Sequence, residues 1–262
     1  MYAFEFVRPT TVEEALAALS ADETQALAGG QTLIPTMKQR LASPGTLVSL
    51  TGIANMKGIA VRGGQVVIGG GATHAAILHA TATSFPALSG LVKVLGDPAV
   101  RNLGTMGGSL ANNDPSADYP AAALACGATI VTNAREIAAD DYFQGMFTTA
   151  LEPGEIITEV RFPVPERANY QKFRQPASRF ALVGVFVAKG AGGVRVAVTG
   201  ASAEGVFRWT EAEAALSADF RLEAIAEMSP SAEGMIGDLH GSPEYRAHLV
   251  GVMTGRAVAG AK

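Results

Sequence analysis

The chain has 262 residues, a net charge of −4, 48% hydrophobic residues, 17% charged residues and a single cysteine, Cys126. This composition excludes a disordered chain, an internal disulfide and a zinc site, and the absence of a Lys/Arg cluster argues against nucleic-acid binding. We expect neither a signal peptide nor a membrane-spanning segment, and therefore a cytoplasmic protein.

The first stretch, residues 1–50, alternates strands with helices. Its predicted elements are a strand at 4–7, a helix that begins with the capping-box pattern Thr11 to Glu14, a strand at 24–28, a helix from about 33 to 41 and a strand at 46–50. Pro35 fits the first turn of the second helix, where proline is tolerated. This alternation predicts a small parallel sheet with crossover helices.

The second stretch, residues 51–166, is longer and more varied. Residues 58–69 predict a hairpin that turns at Gly63 and Gly64. The remaining predicted elements are helices near 73–81 and 86–95, an irregular loop from about 96 to 115, a helix at 119–126, and strands at 128–132 and 156–162.

The third stretch, residues 167–262, places strands before helices. Its predicted elements are strands at 180–187 and 194–199, joined by a glycine connector at 191–193, and helices at 211–217, 221–228 and 243–258. Together the three stretches predict an α+β protein. We expect a small parallel lobe (1–50), a larger mixed or antiparallel lobe (51–166) and a C-terminal α+β domain of antiparallel strands and helices (167–262).

Two glycine-bearing segments are the candidate binding elements. The first glycine segment, residues 28–32, lies between a strand and a helix, and the second glycine segment, residues 104–109, lies in the predicted loop. Glycines allow main-chain N–H groups to approach a ligand, and such N–H groups bind phosphate oxygens. The alternative in both cases is that the glycines only form turns. Neither a Rossmann nor a Walker pattern is present, but two such segments would suit the two halves of a pyrophosphate.

The residues around these segments resemble a known family. Arg101-Asn102-x-Gly104-Thr105-Met106-Gly107-Gly108-Ser109, followed by Asp114-Pro115-x-x-Asp118-x-Pro120, resembles the flavin-binding loop of the molybdenum hydroxylases. Residues 28–34 are similar to the first pyrophosphate loop of that family, residues 148–157 to the segment before the last strand of its flavin domain, and residues 242–249 to its C-terminal helix. The four matches occur in the family's order. They identify the chain as resembling the medium, FAD-binding subunit of enzymes of the aerobic carbon monoxide dehydrogenase and xanthine dehydrogenase type.

The resemblance implies an FAD site and assigns neither a catalytic residue nor a metal ligand to this chain. Residues 28–34 and 105–109 would hold the pyrophosphate and ribityl region, and Asp118 would accept a hydrogen bond from an FAD hydroxyl. Ile157 would contact a ring of the cofactor, and Lys172 would lie near the isoalloxazine and stabilise its anionic reduced form. The full set of implied cofactor-binding residues is Leu27, Ala28, Gly29, Gly30, Gln31, Thr32, Leu33, Ile34, Thr105, Met106, Gly107, Gly108, Ser109, Asp118, Ile157 and Lys172.

The resemblance also implies partners. A large subunit would carry a molybdenum–pterin site, and a small subunit would carry iron–sulfur clusters that pass electrons through FAD to NAD, a quinone or oxygen. We expect a dimer of heterotrimers, whose substrate is chosen in another polypeptide. Two alternatives stay open: a flavin-free scaffold or assembly subunit, and a free-standing flavin oxidase.

Several other reactive residues are expected to be structural. Cys126 ends an apolar helix and is expected to be a buried small hydrophobic residue. His74 and His79 are expected on a helix surface, because their spacing suits no metal. Arg101 is expected to pin its loop through hydrogen bonds, and Trp209 to lie in the core or in a subunit interface.

Overall fold

Three β-sheets form the framework of the protein, and the computed structural model describes all of residues 1–262. The first sheet is parallel, with the strand order β1–β3–β2. Its elements are β1 (Glu5–Val7), α1 (Val12–Leu19), β2 (Thr24–Leu27), α2 (Leu33–Lys38) and β3 (Thr46–Ser49). The parallel sheet predicted for the first stretch is therefore present, and α2 ends three residues before the predicted position.

The predicted cap of α1 is present in modified form. The Thr11 hydroxyl accepts a hydrogen bond from the main-chain N–H of Glu14 at 3.2 Å. The Glu14 carboxylate accepts from the N–H of Thr10, at 2.8 Å, instead of the N–H of Thr11. The first contact satisfies an N–H group that the first helical turn leaves without a partner, and the second fixes the chain just before the helix.

The second sheet is antiparallel, with five strands in the order β4–β5–β8–β6–β7. In chain order the elements are β4 (Ile59–Arg62), β5 (Gln65–Gly69), α3 (His74–Ala80), α4 (Pro86–Lys93), α5 (Pro98–Leu103), α6 (Met106–Asn112), α7 (Tyr119–Cys126), β6 (Thr129–Thr132), β7 (Glu136–Ala138), α8 (Ala139–Tyr142) and β8 (Ile157–Pro163). The predicted hairpin turns at Gly63 and Gly64, whose φ angles of +56° and +76° are in the left-handed region that glycine adopts without strain.

The predicted loop from 96 to 115 is wrong, because this stretch contains the two short helices α5 and α6. The Asp97 carboxylate caps α5 by accepting from the N–H of Val100 at 2.9 Å, and the Thr105 hydroxyl caps α6 by accepting from the N–H of Gly108 at 3.1 Å. Glycine has a low helix propensity and interrupts the apolar periodicity. In α6 the glycines therefore left the cap as the main helical signal, whereas α5 contains no glycine but is only six residues long.

The third sheet is antiparallel, in the order β12–β11–β10–β9. Its elements are β9 (Arg167–Arg174), β10 (Ala181–Gly190), β11 (Gly193–Thr199), β12 (Phe207–Arg208), α9 (Thr210–Ala218) and α10 (Pro243–Gly260). Strand β9 was not predicted, because its sequence is mostly polar. The helix predicted at 221–228 is reduced to a single 3₁₀ turn at Leu222–Ile225.

The second and third sheets share one hydrophobic core. Phe186 of β10 packs 6.3 Å from Phe85 and 6.2 Å from Tyr170 of β9, measured between ring centroids. All three rings belong to the largest cluster of buried residues. Trp209 is buried in a second cluster, between the third sheet and its helices, as expected for a core residue. The α+β class is confirmed, and none of the helices combines the length and apolar character needed to span a membrane.

Candidate cofactor-binding cleft

A cleft of about 740 Å³ lies where the end of the parallel sheet meets helices α5 and α6 and the edge of the third sheet. This volume is in the range of about 300–1,000 Å³ that small-molecule and cofactor sites occupy. Most of the residues implied by the sequence lie on its wall. They are Leu27, Ala28, Gly29, Gly30, Gln31, Thr32, Leu33, Thr105, Gly107, Gly108, Ser109, Asp118, Ile157 and Lys172.

The first glycine segment offers unpaired hydrogen-bond donors. It leaves β2 at the carboxyl end of the parallel sheet and leads into α2, and the main-chain N–H groups of residues 29–32 donate to no acceptor in the protein. Gly30 has a φ of +69°, a backbone conformation that residues other than glycine rarely adopt. Consecutive free N–H groups of this kind bind anionic oxygens.

Most main-chain N–H groups of the second glycine segment donate to acceptors within the protein. The N–H groups of Met106 and Gly107 donate to the carbonyl oxygens of Ala72 and Gly70, at 3.1 and 2.8 Å. The N–H groups of residues 108 and 109 donate to the hydroxyl and carbonyl oxygens of Thr105, at 3.1 and 3.0 Å. The N–H groups of residues 106–109 are therefore not free to bind a phosphate, contrary to expectation, whereas the N–H of Thr105 donates to no acceptor in the protein. The Ser109 hydroxyl, in contrast, has no partner in the protein and lies on the cleft wall.

Three of these glycines are required by close packing within the protein, and Gly29 in this way brings the first segment against the second. A Cβ on Gly29 would overlap the carbonyl oxygen of Leu103, and a Cβ on Gly107 would lie 2.8 Å from the carbonyl oxygen of Gly70. A Cβ on Gly104 would lie 2.5 Å from the imidazole Nε2 of His74. Each of these positions therefore requires glycine because another part of the chain packs against it.

Two implied residues do not line the cleft. Met106 points beneath α6 into the main core and is fully buried there. Ile34 packs beside the first glycine segment, where its Cγ1 would lie 3.0 Å from a Cβ on Gly30. Both side chains therefore support the cleft from behind.

Two other implied residues contact each other. The Asp118 carboxylate lies 2.9 Å from the Lys172 ammonium and accepts a hydrogen bond from the Tyr170 hydroxyl at 2.5 Å. The side chains of Asp118 and Lys172 are only 5% and 3% exposed. Burial raises the pKa of the Asp118 carboxyl, and the Lys172 charge and the Tyr170 hydrogen bond oppose that rise. Lys172, which lies opposite Gly184 of β10, is thus a charge-balanced member of a buried network and not a free cation.

His74 was placed on a helix surface by the sequence, and this is wrong. It is 4% exposed, lines the cleft, and its Nδ1 lies 3.2 Å from the Tyr119 hydroxyl. Burial and then the Arg101 charge lower its pKa to about 4. A helical-periodicity argument would have found it, because Ile77 and Thr81, three and seven residues later, are both fully buried. His79 is exposed, as expected.

Arg101 and Cys126 behave as expected. The Arg101 guanidinium donates to the carbonyl oxygen of Leu95 at 2.9 Å and so pins the turn before α5. Cys126 is partly buried against the main core, and burial raises the pKa of its thiol. Lys172 and Arg179 are the only cationic residues on the cleft wall, so an anionic ligand there depends largely on neutral N–H and O–H donors.

Comparison with known proteins gives consistent matches. The family described as the FAD binding domain in molybdopterin dehydrogenase matches residues 2–165. The carbon monoxide dehydrogenase medium chain of Afipia carboxidovorans is 34% identical, over 99% of this chain and 96% of that protein. The nicotine 6-hydroxylase medium subunit of Paenarthrobacter nicotinovorans is also 34% identical, over 99% of this chain and 98% of that protein.

Solved structures match over nearly the whole chain. Reconstituted carbon monoxide dehydrogenase from Oligotropha carboxidovorans contains a chain that is 32% identical, with a TM-score of 0.87 and coverage of 98% of this chain and 97% of that one. Quinoline 2-oxidoreductase from Pseudomonas putida 86 contains one that is 28% identical, with a TM-score of 0.88 and coverage of 98% and 96%.

Proposed function

This chain belongs to the family of FAD-binding domains in molybdopterin dehydrogenases, as an FAD-binding oxidoreductase component, and from that premise we propose that it is the electron-transfer subunit of a molybdenum-containing dehydrogenase. When bound, FAD supplies the chemistry: it accepts electrons from iron–sulfur clusters of a partner subunit and passes them to an external acceptor. The chain's own residues bind and orient the cofactor.

The observation that carries the proposal is the row of unpaired N–H groups at residues 29–32 on the wall of a cofactor-sized cleft. A diphosphate carries negative oxygens that accept hydrogen bonds from such groups. The Ser109 hydroxyl adds a donor from the opposite segment. The second glycine segment keeps its own main chain fixed through hydrogen bonds to Gly70 and Ala72, so the wall is formed before the cofactor arrives.

The buried network of Asp118, Lys172 and Tyr170 would orient the flavin end of the cofactor. Tyr170 and Lys172 each donate a hydrogen bond to the Asp118 carboxylate. Its two oxygens have further lone pairs, which would accept a hydrogen bond from an FAD hydroxyl. Lys172, held in place by that carboxylate and balanced by its charge, would lie beside the isoalloxazine, as the resemblance implies. Ile157 supplies an apolar contact on the same wall.

We further propose that the chain works in a complex. The relatives are named as medium chains or medium subunits of dehydrogenases and hydroxylases, which supports a large and a small partner. The large subunit would carry the molybdenum–pterin site and the small subunit the iron–sulfur clusters, arranged as a dimer of heterotrimers. The substrate would be selected in the large subunit.

FAD titration of the purified full-length chain, combined with native mass spectrometry of the complex, tests the proposal. We expect a yellow protein that binds FAD and is recovered with two further subunits. A colourless chain that takes up no FAD but joins the same subunits would indicate a flavin-free scaffold. A chain that oxidises a substrate on its own would indicate a free-standing flavin oxidase.

A further inference from the structure

His74 lies on the cleft wall where the two glycine segments meet. Its main-chain N–H donates to the carbonyl oxygen of Gly104 at 2.9 Å, and its Nε2 is the atom that a Cβ on Gly104 would approach to 2.5 Å. The residue is 4% exposed. Nε2 has no hydrogen-bond partner in the protein. Side-chain nitrogen or oxygen atoms that lack a partner and are also fully enclosed occur only in Arg195 and Arg246. Nε2 of His74 is therefore not fully enclosed and remains accessible from the cleft.

The contact with Tyr119 determines which ring nitrogen carries the proton. Tyr119 is fully buried, and burial raises the pKa of its hydroxyl, which therefore keeps its proton. Its only hydrogen-bond partner is Nδ1 of His74, so the hydroxyl donates and Nδ1 accepts. The ring is neutral at pH 7, because its pKa is lowered to about 4. A neutral imidazole that accepts through Nδ1 carries its single proton on Nε2.

The result is a hydrogen-bond donor that is nine-tenths buried, fixed in direction and unused by the protein. Buried donors in native proteins almost always have a partner. We propose that the Nε2–H of His74 donates a hydrogen bond to an oxygen in the diphosphate–ribityl stretch of FAD, and that Tyr119 holds the ring in the required tautomer. This inference rests on the proposed function, because it takes FAD as the occupant of the cleft.

Equilibrium titration of flavin-free, full-length protein with FAD tests this role. His74→Leu removes the donor and keeps an apolar side chain of similar size, so we expect FAD binding to weaken about 10- to 100-fold. His74→Gln restores an N–H near the position of Nε2 and should recover part of the loss. His79→Leu, on the exposed face of the same helix, is the matched control and should bind FAD like the wild type.

Nitrogen-15 NMR of histidine-labelled wild-type protein gives a readout that no unfolded variant can obscure. For His74 we expect an unprotonated Nδ1 and a protonated Nε2. We also expect the Nε2–H resonance to change when FAD is added. A bare Nε2, an unmoved resonance, or a His74→Leu variant that binds FAD as tightly as His79→Leu would overturn the inference. So would a His74→Gln variant as weak as His74→Leu.

Failure of the proposed function is a separate outcome. A folded wild-type chain that takes up no FAD would overturn the function together with this inference. A wild-type chain that binds FAD, alongside an unaffected His74→Leu variant, would overturn this inference alone.

Discussion

The two glycine segments have similar sequences but use their main-chain N–H groups in opposite ways. Each contains an adjacent glycine pair beside hydroxyl residues: Gly29 and Gly30 in the first segment, Gly107 and Gly108 in the second. In the first, the main-chain N–H groups of residues 29–32 have no protein acceptor. In the second, the N–H groups of residues 106–109 all donate within the protein. A glycine pair therefore does not by itself identify a phosphate-binding main chain.

The difference follows from what each segment packs against. The first follows the end of β2 and has no strand beside it to receive its N–H groups. The second lies against residues 70–72, which follow β5. The carbonyl oxygens of Gly70 and Ala72 accept two of its hydrogen bonds, and Thr105, the N-terminal cap of α6, accepts two more. Where the N–H groups go thus decides the function of each segment. Four sets of variants test this contrast.

Gly29→Val should have the largest effect on FAD binding. The new Cβ would overlap the Leu103 carbonyl and push the two segments apart, so we expect FAD affinity to fall by about 100-fold or more. Fluorescence titration with FAD measures this loss. Gly58→Val is the matched control, since no atom lies within 4 Å of its added Cβ. Unchanged FAD binding by Gly29→Val would contradict the packing of the two segments.

Gly107→Ala should lower the stability of the flavin-free chain. Its Cβ would lie 2.8 Å from the Gly70 carbonyl oxygen, so we expect the unfolding free energy of the flavin-free chain to fall by about 1–3 kcal/mol. Urea denaturation measures the change. Gly90→Ala, a helical glycine with open space around it, should instead stabilise the chain slightly. A normal flavin-free stability with lost FAD binding would mean that Gly107 faces the ligand after all.

His74, which contacts the second segment at Gly104, should make the unfolding free energy of the chain depend on pH. Its pKa is lowered from 6.5 to about 4 in the folded chain, so the unfolded chain binds the proton more readily between these values. Its stabilising contribution is complete above pH 6.5 and is lost as the pH falls towards 4. Between pH 7 and pH 5 the flavin-free wild type should therefore lose about 2 kcal/mol more unfolding free energy than His74→Leu.

Urea denaturation of the flavin-free protein at the two pH values measures this difference. His79→Leu should retain the wild-type pH dependence. Equal pH dependence in the wild type and His74→Leu would show that the buried imidazole takes up its proton without opposing the fold.

Gln31→Ala and Ser109→Ala should have the smallest effects on FAD affinity. We expect the loss to be smaller for Gln31→Ala than for Ser109→Ala. The exposed Gln31 side chain donates only to the carbonyl oxygen of its neighbour Gly29, at 3.2 Å, so its removal should change FAD affinity by less than about threefold. The Ser109 hydroxyl has no protein partner, and its loss should weaken binding about 2- to 10-fold. Isothermal titration calorimetry with FAD separates the two variants. The reverse order would mean that the first segment binds through its side chain.

Local signals predicted much of the fold. Alternating strand and helix patterns predicted the parallel sheet, and Gly63 with Gly64 predicted the hairpin, since these features depend on neighbouring residues. Helix α6 was missed because its two glycines outweighed its cap, and α5, with six residues and no glycine, is too short to show a helical periodicity. Strand β9 was missed because most of its residues are polar, and Ala168 and Tyr170 are its only buried hydrophobic residues.

The candidate site was predicted less completely. The resemblance located the cleft wall, apart from Met106 and Ile34, which lie behind it. It did not reveal the contact between Asp118 and Lys172, nor that the N–H groups of Met106 and Gly107 are occupied, because their partners lie far away in the sequence. The burial of His74 could have been predicted from the helical face that it shares with Ile77. Its contact with Tyr119 could not, because Tyr119 follows it by 45 residues.

Residue-resolved hydrogen exchange of the full-length chain, with and without FAD, tests most directly the claim that the N–H groups of residues 29–32 bind the diphosphate. We expect fast exchange at residues 29–32 in the flavin-free chain and strong protection once FAD is added. Gly107 and Ser109 should be protected in both states. New protection confined to residues 106–109, with residues 29–32 unchanged by FAD, would contradict the claim.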